Sequence, residues 1–247
     1  MKNKEKQGFL FKIIKGTIRL FYKKRTLVGT ENIPEEPCII IGNHAKSHGP
    51  LVTELYLKPK SKVWCTGEML SMKEAPAYMF KDFWSDKPKC SHWLYKLTAY
   101  LLAPIVTYVF KNVHPVPVYK DMRIMRTFKS TVETLKDDRN VVIFPEHHAP
   151  YNDILNEFQE NFVDVARLYY KSTGKTVSFV PMYNAVTLKK IVFGQPITYD
   201  PNKTIEEQRK EICKYLMTEI TALAKELPAH KVVPYDNLPK RKYKLSK

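Results

Sequence analysis

Between Gly8 and Lys24 the apolar residues Leu10, Ile13, Ile14, Ile18 and Phe21 recur at spacings of three and four, with Lys12, Lys15, Arg19 and Lys23 between them. That period predicts a helix with one apolar and one basic face. Further along, short β-rich runs predict strands at Cys38–Ile41, Lys62–Thr66, Val113–Val118, Val141–Phe144, Ser178–Tyr183 and Ile191–Phe193. Helical periods lie between them, at Pro50–Leu57, Met122–Leu135, Asn156–Ser172 and Ile205–Lys225. Such alternation predicts an α/β fold: a mixed central sheet flanked by helices, preceded by an amphipathic helix. The run Trp93–Phe110 is apolar but contains Lys96 and Pro104, and a spanning helix needs about 20 clean residues. It reads as a kinked helix lying in a membrane interface or dipping into it, or else as part of a wholly buried helix pair. With no internal repeat and no long linker, the chain divides into a basic segment at 1–30, one α/β domain at 31–230 and a basic tail at 231–247. The closing stretch "PKRKYKLSK" reads as mobile.

Charge changes the picture at the amino terminus. Nine basic residues against Glu5 alone give residues 1–25 a net charge of +8, half of the whole chain's +16. A one-sidedly basic amphipathic helix suits an anionic membrane surface, with apolar residues in the acyl boundary and lysines over the headgroups. No short apolar core leads to a cleavage site there, so it is not read as a signal peptide. Nucleic acid is not an expected partner, because the aromatics accompany aliphatic residues rather than arginines. Cys38, Cys65, Cys90 and Cys213 are far apart, without a metal or disulfide spacing, and read as reduced thiols. The expected location is peripheral, on the cytoplasmic face of the cell membrane.

Candidate chemistry lies in ordered blocks: "GNHAKSHGP" (42–50), "VHPVPVYKD" (113–121), "VVIFPEHHAP" (141–150) and "FVPMYNA" (179–185), followed by "VFGQPI" (192–197). Together these resemble the glycerol-phosphate and lysophosphatidic-acid acyltransferase family. That family has an N-H-x4-D block, then G-x-x-F-[IV]-x-R, then F-P-E-G-T-R, then a V-P block. The resemblance runs from about Ile33 to Ile197, and the F-P-E triplet behind an apolar strand is its most specific part. It implies a fatty acyl group moved from a coenzyme A or acyl carrier protein thioester to the hydroxyl of a lipid or small-molecule acceptor, with no cofactor. It also implies His44 as the base that takes the hydroxyl proton, a role that suits a neutral imidazole.

The departures from the family are equally specific. Gly49 stands where the family has the Asp that orients the histidine. Lys120 replaces the phosphate-holding Arg, and His147–His148–Ala149 replaces Gly-Thr-Arg. A lysine meets phosphate as a point charge rather than a fork, so the acceptor is expected to differ from lysophosphatidic acid. Glu146 and His48 are the candidate partners of His44, and Asp153 is a spare carboxylate. Asn43, Lys120, Arg123, His147 and His148 are the candidate substrate-binding residues. Five of seven histidines (His44, His48, His114, His147, His148) fall inside the blocks. Two alternatives follow. One is a metal-dependent hydrolase, with His44, His48, Glu146 and His147 or His148 as zinc or iron ligands. The other is a catalytically inactive relative that binds membrane lipid. Structural readings stand beside each residue: His48 as a helix cap, His114 as a strand end, Glu146 paired with Lys120 or Arg123, Arg126 on a solvated face.

Overall fold

A computed structural model of the chain describes residues 6–22, 24–57, 60–119, 121–236 and 238–247. It divides into two compact units. One comprises Met1–Ile18 and Trp64–Ser130, the other Arg19–Val63 and Thr131–Lys247.

The second unit carries most of the sheet. Its strands are β1 (Thr26–Val28), β2 (Ile39–Gly42), the first half of β3 (Ser61–Thr66), β5 (Asn140–Ile143), β8 (Ser178–Ala185), β9 (Lys190–Phe193) and β10 (Ile197–Thr198). The order is β1-β9-β8-β2-β5-β3, with β10 also on β8. β2 is central and parallel to both neighbours, Ile41 registering with Ile143 of β5 and with Pro181 of β8. Among the described residues of this sheet only the β8–β9 and β8–β10 pairs are antiparallel. The sheet is therefore mixed and mostly parallel, as the alternation of strands and helices predicts. A strand covered on both faces should be apolar at every position rather than at alternate ones. β2 obeys: Ile39, Ile40 and Ile41 are all buried.

One sheet face packs Cys38, Ile40, Val142, Val180, Met182, Ile191 and Phe193 against Val52, with Tyr22, Leu27, Tyr56 and Phe144 at its margin. Helix α2 (His48–Val52) passes straight into a wider turn at Thr53–Leu57. α6 (Asp164–Thr173) and α7 (Ile205–Glu226) complete this unit. α7 starts at Thr204, whose hydroxyl accepts from the Glu207 amide while the Glu207 carboxylate accepts from the Thr204 amide. This reciprocal pair satisfies two donors that a helix start otherwise leaves open. Ile205, Ile212, Leu216, Ile220 and Leu223 form its buried stripe.

In the first unit the second half of β3 pairs in parallel with β4 (Val116–Val118). Helix α3 (Ala75–Phe83) packs on the 22-residue α4 (His92–Val113) through Ala75, Met79, Ala99 and Ala103. Helix α1 (Phe9–Phe21) begins there and α5 (Ile124–Lys136) follows β4. α4 buries only the small-residue stripe Ala99, Ala103 and Thr107. Trp93, Leu97, Tyr100, Leu101 and Ile105 remain exposed, which overturns the wholly buried helix pair. By length and composition one segment, Lys89–Val113, could cross a membrane among the described residues. α1 buries only Phe11, and its predicted stripe residues Leu10, Ile13, Ile18 and Phe21 are exposed, with Phe9 and Leu20.

Two elements start more than two residues later than expected. The strand expected at Val113–Val118 starts only at Val116, because α4 runs through Val113 and closes on His114 at φ 51°. Pro115 disfavours a further helical residue before it. The helix expected over Asn156–Ser172 starts only at Asp164. Asn156–Phe158 is β7, antiparallel to β6 (Glu146–Pro150). There Asn156 donates its side-chain N–H to the His147 carbonyl (2.6 Å) and Phe158 is buried, so tertiary bonds outweigh helical period.

Candidate active site

The parallel register of β2, β5 and β8 brings three of the blocks to one sheet edge. Asn43–His44 leave the carboxyl end of β2, Phe144–Glu146 leave that of β5, and Asn184 lies at that of β8. Ligand sites in open α/β sheets form at such ends. The chain beyond His44 turns sharply, with Ala45 at φ 45° and Lys46 at φ 56°. This left-handed pair is costly for residues with a Cβ. Three sets of bonds hold the turn. Asn43 Oδ1 accepts from the Asn184 amide N–H at 2.7 Å, tying the turn to β8. Glu146 Oε2 accepts from the His44 amide N–H at 2.5 Å. The Gly49 and His48 amides donate to the His44 and Ala45 carbonyls at 3.0 and 3.2 Å.

Glu146 is almost wholly buried, and its other oxygen accepts from the Asn156 amide at 3.1 Å. Burial pushes its pKa up to about 7, the two amide bonds acting against that and the nearby Asp236 charge adding to it. The carboxylate thus grips backbone on two sides of the site. Its hold on His44 is through the main chain.

The His44 ring lies between aromatic neighbours. Phe144 meets it at 5.5 Å between centroids and 69° between planes, and Tyr235 at 5.6 Å and 87°. Gly49 explains how Phe144 comes so close. A Cβ at position 49 would lie 2.7 Å from Phe144 Cε1 and 2.8 Å from the His44 carbonyl oxygen. The space a side chain at position 49 would take is therefore filled by Phe144 and by the backbone.

The remaining candidates take other partners. His48 opens α2, and its Nδ1 is 3.1 Å from the Tyr22 hydroxyl. Burial first, then the charges of Arg25 and Lys46, lower its pKa from the usual imidazole value. His147 Nδ1 accepts from the Ala149 amide at 3.2 Å, with its Nε2 3.6 Å from Glu157. His148 Nδ1 meets Asp236 at 2.8 Å, and its ring lies 5.3 Å from that of Tyr235. Asp153 is spent on Lys244 at 2.5 Å. His114 and Arg123 belong to the first unit. His114 closes α4, and Arg123 is gripped by Asp121 at 2.8 Å, is paired with Glu74 at 3.4 Å and rests on the Tyr119 ring. That grip drives the Asp121 carboxyl well below its usual range. Lys120 lies outside the described residues.

Among the described residues no three His, Cys, Asp or Glu side chains converge as metal ligands would. Of the donors named for a zinc or iron centre, His48, His147 and His148 face Tyr22, Glu157 and Asp236 respectively. Tyr235 and Asp236 carried no signal in the sequence: they stand in the segment read as a basic tail, with no period or spacing to tie them to His44. In fact the tail is anchored near its two ends. Val232 and Ser246 are buried, and Ser246 bonds the His230 ring at 3.0 Å.

No protein-family model matches the chain, and no curated protein sequence does. Among solved structures it is similar to the 1-acyl-sn-glycerophosphate (LPA) acyltransferase PlsC from Thermotoga maritima. That similarity is 16% in identity, with a TM-score of 0.47, over 87% of this chain and 80% of the other.

Proposed function

We propose that the protein transfers a fatty acyl group from a coenzyme A or acyl carrier protein thioester to a hydroxyl, with His44 as the base. The observation that carries this reading is the setting of His44. It ends the central parallel strand, in a strained turn pinned by Asn43 and the buried Glu146. Strain of this kind persists where the surroundings over-determine it, and it gathers at working sites. The ordered blocks around the same turn supply the chemistry, as the resemblance implies. His44 Nδ1 is buried, and this reading assigns the proton transfer to Nε2. Nε2 takes the hydroxyl proton as the acceptor oxygen attacks the thioester carbonyl. The carbon–sulfur bond then breaks, and the leaving thiolate takes the proton from the imidazolium. No covalent intermediate with the protein is needed.

With Lys120 and His147–His148 in place of the family's arginine and Gly-Thr-Arg, the acceptor is a lipid or small molecule other than lysophosphatidic acid. The protein sits peripherally on an anionic membrane, on its cytoplasmic face. The exposed apolar residues of α1 and α4 and the +8 charge of residues 1–25 support that placement.

The test is thiol release from a palmitoyl thioester with membrane lipid extract as the acceptor pool, products being read by mass, for wild type and His44→Ala. A new acylated lipid that disappears in the variant is the expected result. Equal transfer by the variant, or release without an acylated product, would overturn the assignment.

A further inference from the structure

Within the second unit the carboxyl-terminal segment sets out from His230 and returns to the same place. His230 accepts from, or donates to, the Tyr183 hydroxyl of β8 through Nε2 at 2.8 Å. Lys231 pairs with Leu245, the Val232 amide donates to the Lys244 carbonyl at 2.9 Å, and the Ser246 amide donates to the His230 carbonyl at 3.0 Å. Thr187 adds a bond to the Lys231 carbonyl at 3.0 Å. Val232 and Val233 are buried at this root. The segment is thus a strap closed at its base, a geometry that limits where its far part can go.

That far part reaches the His44 turn from two sides. Lys46, two residues after His44, donates to the Leu238 carbonyl at 2.9 Å and lies 5.2 Å over the Tyr243 ring. His148, two residues after Glu146, is held by Asp236 at 2.8 Å. Between these anchors Tyr235 is set nearly perpendicular to the His44 ring, and it also meets the His148 ring. Edge-to-face contacts of this kind restrict how a ring can turn.

We propose that Tyr235, presented by this strap and backed by the Asp236–His148 pair, is the positioning residue of His44. Together with Phe144 it fixes the imidazole by aromatic contact, in a chain where Gly49 cannot supply an orienting carboxylate. Tyr235 acts through its ring on His44, which Tyr235→Phe keeps and Tyr235→Ala removes. The proposal rests on reading His44 as the working base, and its test has a readout that needs no catalysis.

That readout is the rate at which diethyl pyrocarbonate modifies His44, followed by peptide mass spectrometry in the full-length protein. Tyr235→Ala, Tyr235→Phe and Lys244→Ala are compared with wild type. Lys244→Ala cuts a different strap contact, the pair with Asp153, and controls for general loosening. A lost edge-to-face contact is worth up to about tenfold in the population of one orientation. In Tyr235→Ala the His44 rate should rise several-fold, while Tyr235→Phe and Lys244→Ala match wild type. In the thioester assay kcat should fall about tenfold for Tyr235→Ala, with KM little changed and full rescue by Tyr235→Phe. An unchanged His44 modification rate in Tyr235→Ala would overturn the proposal, as would a rise equally large in Lys244→Ala. If the modification pattern holds but wild type shows no His44-dependent transfer, the positioning stands and the acyl-transfer reading fails.

Discussion

Glu146 offers a prediction whose sign can be worked from the structure. Its carboxylate is 4% exposed and accepts two backbone N–H bonds, from His44 and Asn156. Burial nevertheless wins, raising the pKa from 4.5 to about 7. A carboxyl raised in the folded state stabilises the fold fully below its unfolded pKa and loses that contribution as pH rises through the folded value. Between pH 4.5 and somewhat above 7 the protein should therefore lose about 3 kcal/mol from this one group. Glu146→Gln is neutral throughout and escapes that loss. It has only one acceptor oxygen, however, so either the His44 or the Asn156 amide is left without an acceptor, at a cost of about 1–3 kcal/mol. The variant should be less stable than wild type near pH 5, and the deficit should shrink or reverse by pH 8.5. The measurement is the urea midpoint of both proteins at pH 5, 6.5 and 8.5, with the slopes checked for constancy. Taking the difference between the two proteins removes groups they share. One such group is His48, whose lowered pKa works in the opposite sense, its contribution being lost as pH falls. Parallel pH profiles for wild type and Glu146→Gln would refute the argument that a buried carboxylate bears this cost.

Placing a carboxylate beside His44 by Gly49→Asp should fail. The new Cβ meets the His44 carbonyl at 2.8 Å and Phe144 at 2.7 Å, so a loss of about 1–3 kcal/mol and no gain in thioester turnover are expected. An equally stable, more active Gly49→Asp would contradict the packing argument. On the membrane side, Phe9, Leu20 and Phe21 are each about four-fifths exposed on α1. Changing all three to serine should lower co-sedimentation with phosphatidylserine vesicles by tenfold or more, since each buried aromatic or leucine is worth about 1.5–3 kcal/mol. Unchanged sedimentation would remove α1 from the contact.

The apolar runs at Ile39–Ile41 and Val141–Ile143 and the helical period of α7 are legible because each encodes a local rule, full burial in one case and helical period in the other. The positions of the His44 block and the F-P-E triplet just beyond strands are legible as well, since each follows an apolar run. β7 was not, because Asn156–Phe158 has helical spacing on paper and becomes a strand only when Glu146 and His147 supply its hydrogen bonds. Nor was Arg123, whose charge is taken up by Asp121 and Glu74 across a turn that no spacing rule specifies.

By itself, then, the sequence determined the layered α/β class, the basic amphipathic helix and the place of His44 at a strand end. All three follow from period, composition and order along the chain. Tertiary structure alone decided what surrounds His44. Glu146 is 102 residues away and reaches its backbone, Phe144 fills the space Gly49 leaves, and Tyr235 arrives from a segment that reads as a tail. Contacts between residues so far apart depend on the register of β2 against β5 and on the closure of the strap at His230. Neither leaves a periodic trace, because the pairing energy resides in the folded geometry and not in any local stretch of chain.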